Sequence, residues 1–173
     1  MAIALYDLSV ANYLQTLEAV AGFLEKGRAH FDTNHVDLDE IVETRLAPDM
    51  LPLRFQLQSV AHHSLGAIEG VKAGLFQPPP QAPAYDYGGL QKLVAEAREA
   101  LQKLTPAEVN ALEGKDVVFQ IRDFKMPFTA EGFLLSFSLP NFYFHATTAY
   151  DILRMKGVPV GKRDFMGPMR LKS

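Results

Sequence analysis

The segment from about Ala130 to Met155 constrains the fold more than any other, because it has clear ends and two apolar faces. Thr129 suits an N-cap position, and Gly157 stops a helix. At about 100° per residue, one face carries Leu135, Leu139, Phe142, Ala146, Ala149 and Leu153, and the opposite face carries Phe133, Phe137, Phe144 and Met155. A helix that is apolar on both faces is buried. We therefore expect this helix to lie inside the protein.

Three other segments have apolar residues three and four positions apart, which is typical of amphipathic helices. We expect these helices from Leu5 to about Lys26, from Pro52 to about Lys72, and from Gly89 to about Leu104. The first is expected to stop near Gly27, and the second at Ala73 and Gly74.

Shorter elements are expected in the connections. They are a helix from Leu38 to Leu46 capped by Asp37, a helix that follows the capping box Thr105 to Glu108 and ends at Gly114, and a strand from Asp116 to Phe124 with Lys125 to Thr129 as its hairpin partner or a turn. The stretch from Gln77 to Pro83 is a proline-rich connector. The sequence thus predicts a mainly α four-helix bundle with long connections and a small β element before the last long helix.

Length and composition fit one globular domain spanning residues 1–173. The chain has no Cys, which removes disulfides, thiol nucleophiles and cysteine-held metals. A net charge of -3 gives no overall attraction to nucleic acid. No apolar run is long enough to span a membrane, and the N-terminus lacks the basic start of a signal peptide, so we expect a cytoplasmic protein.

A ridge of polar residues runs between the two apolar faces of the last helix, at Ser138, Asn141, His145 and Thr148. Asn141 and His145 are four residues apart, so their side chains project in parallel and could hold one atom between them. Buried polar groups need partners, which makes this ridge either a binding site or an internal hydrogen-bond network. Pro140 is expected to kink the helix and to free the carbonyl of Ser136.

The second long helix contains two adjacent histidines, His62 and His63, which must point about 100° apart. His63 shares its side of the helix with small residues such as Gly66 and Gly70, so it is the one expected to face inward. His30 and His35 are expected in a loop at the surface, from which a histidine could still close over a site. No phosphate-binding loop, nucleophile elbow, zinc-protease helix or dinucleotide fingerprint occurs.

We therefore expect a pocket between the second and fourth long helices that binds a small molecule. Its lining would be His63, Asn141, His145 and Thr148. Whether the protein is an enzyme stays open at this point.

Two passages resemble a bacterial and fungal family of unknown function that is grouped with the DinB/YfiT-like metalloenzymes. They run from Arg45 to Gln58 and from Leu139 to Arg154, with Gly157 to Pro159 and Gly161 to Phe165 following the second. The likeness spans essentially the whole chain. It implies a four-helix bundle, often a homodimer, and in typical members a divalent metal such as Zn or Ni; some members are thiol-dependent transferases or isomerases.

Typical members of that superfamily hold the metal with one histidine of the second helix and an H-x-x-x-H pair of the last. By position, His63 corresponds to the first ligand, with His62 as the alternative register, and His145 to the last. The remaining position is Asn141, whose amide oxygen is a poor substitute for an imidazole. The expected function is accordingly small-molecule binding without a tightly held metal. The alternatives are a metal-dependent, thiol transferase-like enzyme and a non-enzymatic dimeric interaction protein.

Overall fold

The computed structural model describes residues 3–79 and 84–172, and in this part of the chain four long helices are joined by short helices and a small sheet. The helices are α1 (Leu5–Leu8), α2 (Val10–Thr33), α3 (Leu38–Val42), α4 (Leu53–Ala61), α5 (Ala67–Ala73), α6 (Tyr87–Gln102), α7 (Pro106–Asn110), α8 (Ala130–Phe133), α9 (Leu139–Met155) and α10 (Lys162–Met166). The strands are β1 (Leu75–Phe76), β2 (Asp116–Ile121) and β3 (Phe124–Thr129). Of the proline-rich connector, residues 80–83 lie outside the described residues.

Two of the long helices contain a π turn, which is a helical turn with one extra residue. The first π turn, His62–Gly66, joins α4 to α5 in the second long helix, residues 53–73. The second π turn, Leu134–Ser138, joins α8 to α9 in the fourth long helix, residues 130–155. It lies just before Pro140, which has no N–H to donate to the regular helical pattern. The interruption expected at Pro140 therefore takes the form of a π turn.

The second π turn changes which residues of the fourth long helix are buried. One extra residue rotates every later side chain by about 100° relative to a regular helix. Phe133 and Phe142 are fully buried, but Phe144 is 56% exposed and Met155 is 52% exposed. Leu135, inside the π turn, is 39% exposed. The prediction that both faces are buried is therefore wrong at Leu135 and, in the second half of the helix, for the face that carries Phe144 and Met155.

The first long helix continues past Gly27 to Thr33, which corrects its predicted end. Gly27 is buried, and a Cβ built on it would lie 2.5 Å from the hydroxyl oxygen of Tyr87 in α6. That hydroxyl donates a hydrogen bond of 2.8 Å to the carbonyl of Leu24. Gly27 thus allows the third long helix to approach closely, rather than ending the first. As a result, His30 lies on α2 and not in a loop.

The predicted helix caps are confirmed. Asp37 accepts a hydrogen bond from the N–H of Asp39, although α3 ends earlier than expected, at Val42. The Thr105–Glu108 capping box forms both of its bonds. Thr129 accepts from the N–H of Gly132, and Gly74 ends α5 with a φ of +74°. Local polar chemistry therefore sets these helix ends much as the sequence predicts.

The small sheet has the order β1-β2-β3 within the described residues. β2 and β3 form the expected antiparallel hairpin. β1 pairs in parallel with β2 and was not predicted, because two residues carry no strand pattern. β1 places the buried side chain of Phe76 between the end of the second long helix and the hairpin.

The long helices pack around one continuous apolar core. α4 packs against α9, and α2 packs against α6. The chain after α9 folds back on α2, where Lys26 pairs with Asp164 at 2.5 Å and Gln15 donates to the carbonyl of Met166. No helix in residues 3–79 or 84–172 has both the length and the hydropathy needed to cross a membrane.

A pair of glycine substitutions tests the close approach at Gly27. Gly27→Ala forces its new methyl group against the Tyr87 hydroxyl, and we expect it to lower the free energy of unfolding by about 1–3 kcal/mol. Gly22→Ala is the control, because Gly22 lies in the same helix and a Cβ there meets nothing within 4 Å. It should raise stability by up to about 1 kcal/mol through helix propensity. Urea unfolding measures both, and an equally stable Gly27→Ala variant would contradict the packing role.

Candidate functional site

The structure places His63 of the first π turn beside His145 of α9. The two rings are close to parallel, with an interplanar angle of 18° and centroids 5.9 Å apart. Both residues are half-buried. The Nδ1 atom of His63 is buried and has no hydrogen-bond partner among the described residues. A buried polar atom of this kind is uncommon in proteins and marks a place where a partner is expected.

Burial keeps both imidazoles neutral at ordinary pH. It lowers the pKa of His63 to about 3, with smaller contributions from His62 and His145. It also lowers the pKa of His145 to about 4. The uncharged form is the one that accepts a proton or binds a metal through a ring nitrogen.

A glutamine on α4 fixes the orientation of His145. The side-chain N–H of Gln56 donates to the carbonyl of Leu51 at 2.7 Å, so its oxygen Oε1 faces His145. Nδ1 of His145 lies 2.8 Å from that oxygen. An amide oxygen only accepts, so the hydrogen-bond network assigns the ring proton to Nδ1. The lone pair of His145 is therefore on Nε2.

A chain of buried hydroxyl groups supports the backbone of His63. The Ser138 hydroxyl donates to the carbonyl of His63 at 2.6 Å. The Tyr13 hydroxyl lies 2.8 Å from Ser138 Oγ. Because the single proton of Ser138 is already used, Tyr13 is the donor in this second bond. Burial raises the pKa of Tyr13, which keeps its proton in place.

Aromatic rings form the walls around the two histidines. The ring centroids of Phe76 and Phe137 lie 5.5 and 5.8 Å from that of His63. Those of Phe55 and Phe144 lie 5.8 and 5.3 Å from that of His145. The surroundings of the paired imidazoles are thus mostly apolar, which explains their low pKa values.

The other two predicted site residues use their polar groups locally. The amide nitrogen of Asn141 donates to the carbonyl of Phe137 at 2.7 Å. The Thr148 hydroxyl donates to the carbonyl of Phe144 at 2.8 Å. Thr148 lines a groove on the outer side of α9, together with Tyr143 and Phe144. The structure therefore brings His63 and His145 together and leaves Thr148 at the edge of a different surface.

Of the other histidines, His62 lies next to the pair, with its ring centroid 5.7 Å from that of His63, but it makes its own contacts. His62 stacks on Phe76, with ring centroids 4.4 Å apart, and its Nε2 lies 2.8 Å from the carbonyl oxygen of Gln77. It covers Gly66, which the sequence assigned to the side of His63. His35 is exposed in the turn after α2, with a φ of +55°. The sequence left His62 as an alternative to His63 in the second helix. In the structure, the ring of His63 stacks beside that of His145.

Few side chains of the described residues could bind a metal together with the paired histidines. Among residues 3–79 and 84–172, no group of three or more His, Asp or Glu side chains is placed to hold a metal ion. Two neutral imidazoles have suitable chemistry for a divalent transition metal, but a tightly held ion normally has at least three protein ligands. The side chains of the described residues alone do not complete such a site.

Two residues of this site were not predicted from the sequence. Gln56 lies seven residues before His63, which is two helical turns, so its position on the same side of the helix was open to prediction. Tyr13 gives no such signal, because it belongs to an ordinary apolar stripe of the first helix and its polar contact is 125 residues away in sequence.

The long helices around this histidine pair place the protein in the class of DinB-like bundles. A solved structure of a DinB family member protein from Shewanella denitrificans is similar, with a TM-score of 0.81 and 29% sequence identity, over 98% of this chain and 95% of that chain. The domain of unknown function DUF1993 matches residues 5–166, so the chain belongs to this family. No curated protein matches significantly. These findings confirm the resemblance and the fold predicted from the sequence.

The low pKa values of the histidine pair predict a loss of stability in mild acid. Between the folded pKa values and the unfolded value of about 6.5, the unfolded chain binds more protons than the folded one. The free energy of unfolding therefore falls as the pH is lowered through this range, by at most about 1.4 kcal/mol per pH unit for each histidine. Urea unfolding between pH 7 and pH 5 measures the slope.

The matching variants are His63→Phe, which replaces the buried ring among aromatic neighbours, and His35→Asn, which replaces an exposed side chain. We expect the pH slope of His63→Phe to be smaller than the slopes of both the wild-type protein and His35→Asn. Equal slopes in the wild-type protein and His63→Phe would show that His63 does not carry this dependence.

Proposed function

We propose that this protein binds a small molecule at His63 and His145, between the second and fourth long helices, without a tightly held metal. The observation that supports the proposal best is the buried Nδ1 of His63, which lacks a partner among the described residues and lies beside a second neutral imidazole. A ligand with a polar group would supply that partner. Such a site combines apolar walls with a few placed polar atoms, as ligand sites generally do.

The chemistry of the two rings indicates the class of ligand. The free Nε2 of His145 is a hydrogen-bond acceptor, held in place through Gln56. A hydroxyl or thiol group would donate to it, while an apolar body would pack on Phe55 and Phe137. Asn141, one turn before His145, is proposed to contribute its amide oxygen. Thr148 is included among the proposed ligand-binding residues only because it lies one helical turn after His145.

A metal-dependent, thiol transferase-like activity is the second candidate, and one contact favours it. Histidines that bind metals usually donate their other ring N–H to a carbonyl or carboxylate, and His145 donates in this way to Gln56. A divalent ion such as Zn or Ni would use His63 and His145 and would need further ligands from a bound molecule. We derive no catalytic step through such an ion, because the described residues supply too few ligands for it.

Ligand-observed NMR with p-cresol and its methyl ether, 4-methylanisole, tests the binding proposal. The two probes have similar apolar bodies, but only p-cresol has a hydroxyl to donate. We expect saturation transfer to p-cresol and little to the ether. His63→Ala and His145→Ala should each weaken p-cresol binding, and His35→Asn should not. Equal signals from both probes, or binding that survives both alanine variants, would refute the proposal.

Elemental analysis of untagged protein and of the same variants separates the alternatives. Near-stoichiometric metal that disappears in both alanine variants would favour the metal-dependent enzyme. Neither metal nor p-cresol binding would favour the third possibility, in which the polar groups form only an internal network of an interaction protein.

We also propose a homodimer, which rests on the family resemblance alone. Light scattering after size-exclusion chromatography should give about twice the chain mass of 19.2 kDa. A mass equal to one chain at all tested concentrations would reject it.

A further inference from the structure

A groove runs along the outer side of α9 and is separate from the histidine pair. It faces the connection between α3 and α4 and has a volume of about 580 Å³. Leu46 and Met50 of that connection line one side, and Tyr143 and Phe144 line the other. On α9 its lining extends from Pro140 to Asp151. The eleven steps from Pro140 to Asp151 along the helix correspond to about 16 Å, so the groove is long enough for an extended hydrocarbon chain.

The groove leaves large apolar side chains uncovered. Tyr143 is 38% exposed and Phe144 is 56% exposed. Leu46 and Met50 are half-buried on the facing side. Grouped apolar side chains at a surface are typical of binding sites, and their contact with an apolar ligand would remove this surface from water.

Asp151 gives the groove its charge. It is the one ionisable carboxylate among the lining residues, and it lies at the C-terminal end of the groove. It is half-buried, and no ion pair or side-chain hydrogen bond involves it within the described residues. Arg154, one turn further, is exposed and makes no such pair with it. A carboxylate only accepts hydrogen bonds, so the complementary group of a ligand is a cation that donates.

The position of Asp151 on its helix adds to this preference. It lies about one turn before the end of α9 at Met155. The C-terminal end of a helix carries a partial negative charge, which stabilises cations nearby. The carboxylate and the helix end therefore act in the same direction.

We propose that this groove binds an organic cation, a primary ammonium group on a hydrocarbon chain. The ammonium group pairs with Asp151, and the chain lies along Phe144 between α9 and the residues Leu46 and Met50. This ligand differs in charge from the neutral donor proposed for the histidine pair. The two sites meet at Phe144, whose ring packs edge-on against His145, and at Thr148, which lines the groove.

Calorimetric titration with hexylammonium chloride tests this site, with hexan-1-ol as the uncharged control ligand. We expect hexylammonium to bind and hexanol to bind more weakly. Asp151→Asn should raise the dissociation constant for hexylammonium at least about threefold, in line with a partly exposed ion pair. Added salt should weaken binding to the wild-type protein and have little effect on the variant.

Asp123→Asn is the matched control, because it removes the same charge from the exposed hairpin turn between β2 and β3. It should bind hexylammonium as the wild-type protein does. Leu46→Ser changes the opposite wall of the groove without touching Asp151, and it should also weaken binding. Thermal unfolding of each variant verifies that it is folded.

Several results would overturn the proposal: no hexylammonium binding in the millimolar range, equal binding of hexanol, or equal weakening by Asp123→Asn and Asp151→Asn. His63→Ala should leave hexylammonium binding unchanged. The groove and the histidine site can therefore fail independently of each other.

Discussion

The hydrogen bonds from Tyr13 to Ser138 and from Ser138 to the carbonyl of His63 connect three long helices at one point. Each π turn contributes one of these residues, and both turns depart from the regular helical pattern. Leaving one buried group of such a chain without its partner costs about 1–3 kcal/mol, so the three helices are held in one relative position. That position sets His63 beside His145. The histidine pair thus depends on a contact between residues that are far apart in sequence.

The sequence predicts those parts of the fold that depend on local chemistry. Asp37, Thr105 and Thr129 cap their helices because the capping oxygen and its N–H partners are close in sequence. The failures have non-local causes. Gly27 looked like a helix end, but it is a contact point for Tyr87, which is 60 residues away by their numbers. The π turns are not visible in a helical wheel, because the wheel assumes a constant angle per residue.

The same distinction applies to the candidate site. His63 could be selected because its side of the helix carries small residues, and His145 because it lies on a polar ridge between two apolar faces. The proximity of their rings in the structure depends on how the second and fourth long helices pack, which no local pattern in the sequence specifies. Gln56 was open to prediction from its spacing to His63, whereas Tyr13 was not. Thr148 was selected for its spacing to His145, but its hydroxyl donates to the carbonyl of Phe144 and the residue lines the outer groove.

The low pKa values of the two histidines also limit what the site does. With values of about 3 and about 4, neither ring changes its charge near neutral pH. Histidine is the usual residue for a proton switch near neutral pH, but burial places the pKa of both rings well below that range. The surrounding phenylalanine rings keep both imidazoles uncharged. An unprotonated ring nitrogen can accept a hydrogen bond from a neutral hydroxyl or thiol. It can also bind a metal whose remaining ligands come from a bound molecule. Both interactions need the lone pair that Gln56 leaves on Nε2 of His145. Small-molecule binding and metal binding therefore both depend on the orientation that Gln56 gives to His145. They differ in how many further metal ligands the bound molecule must supply.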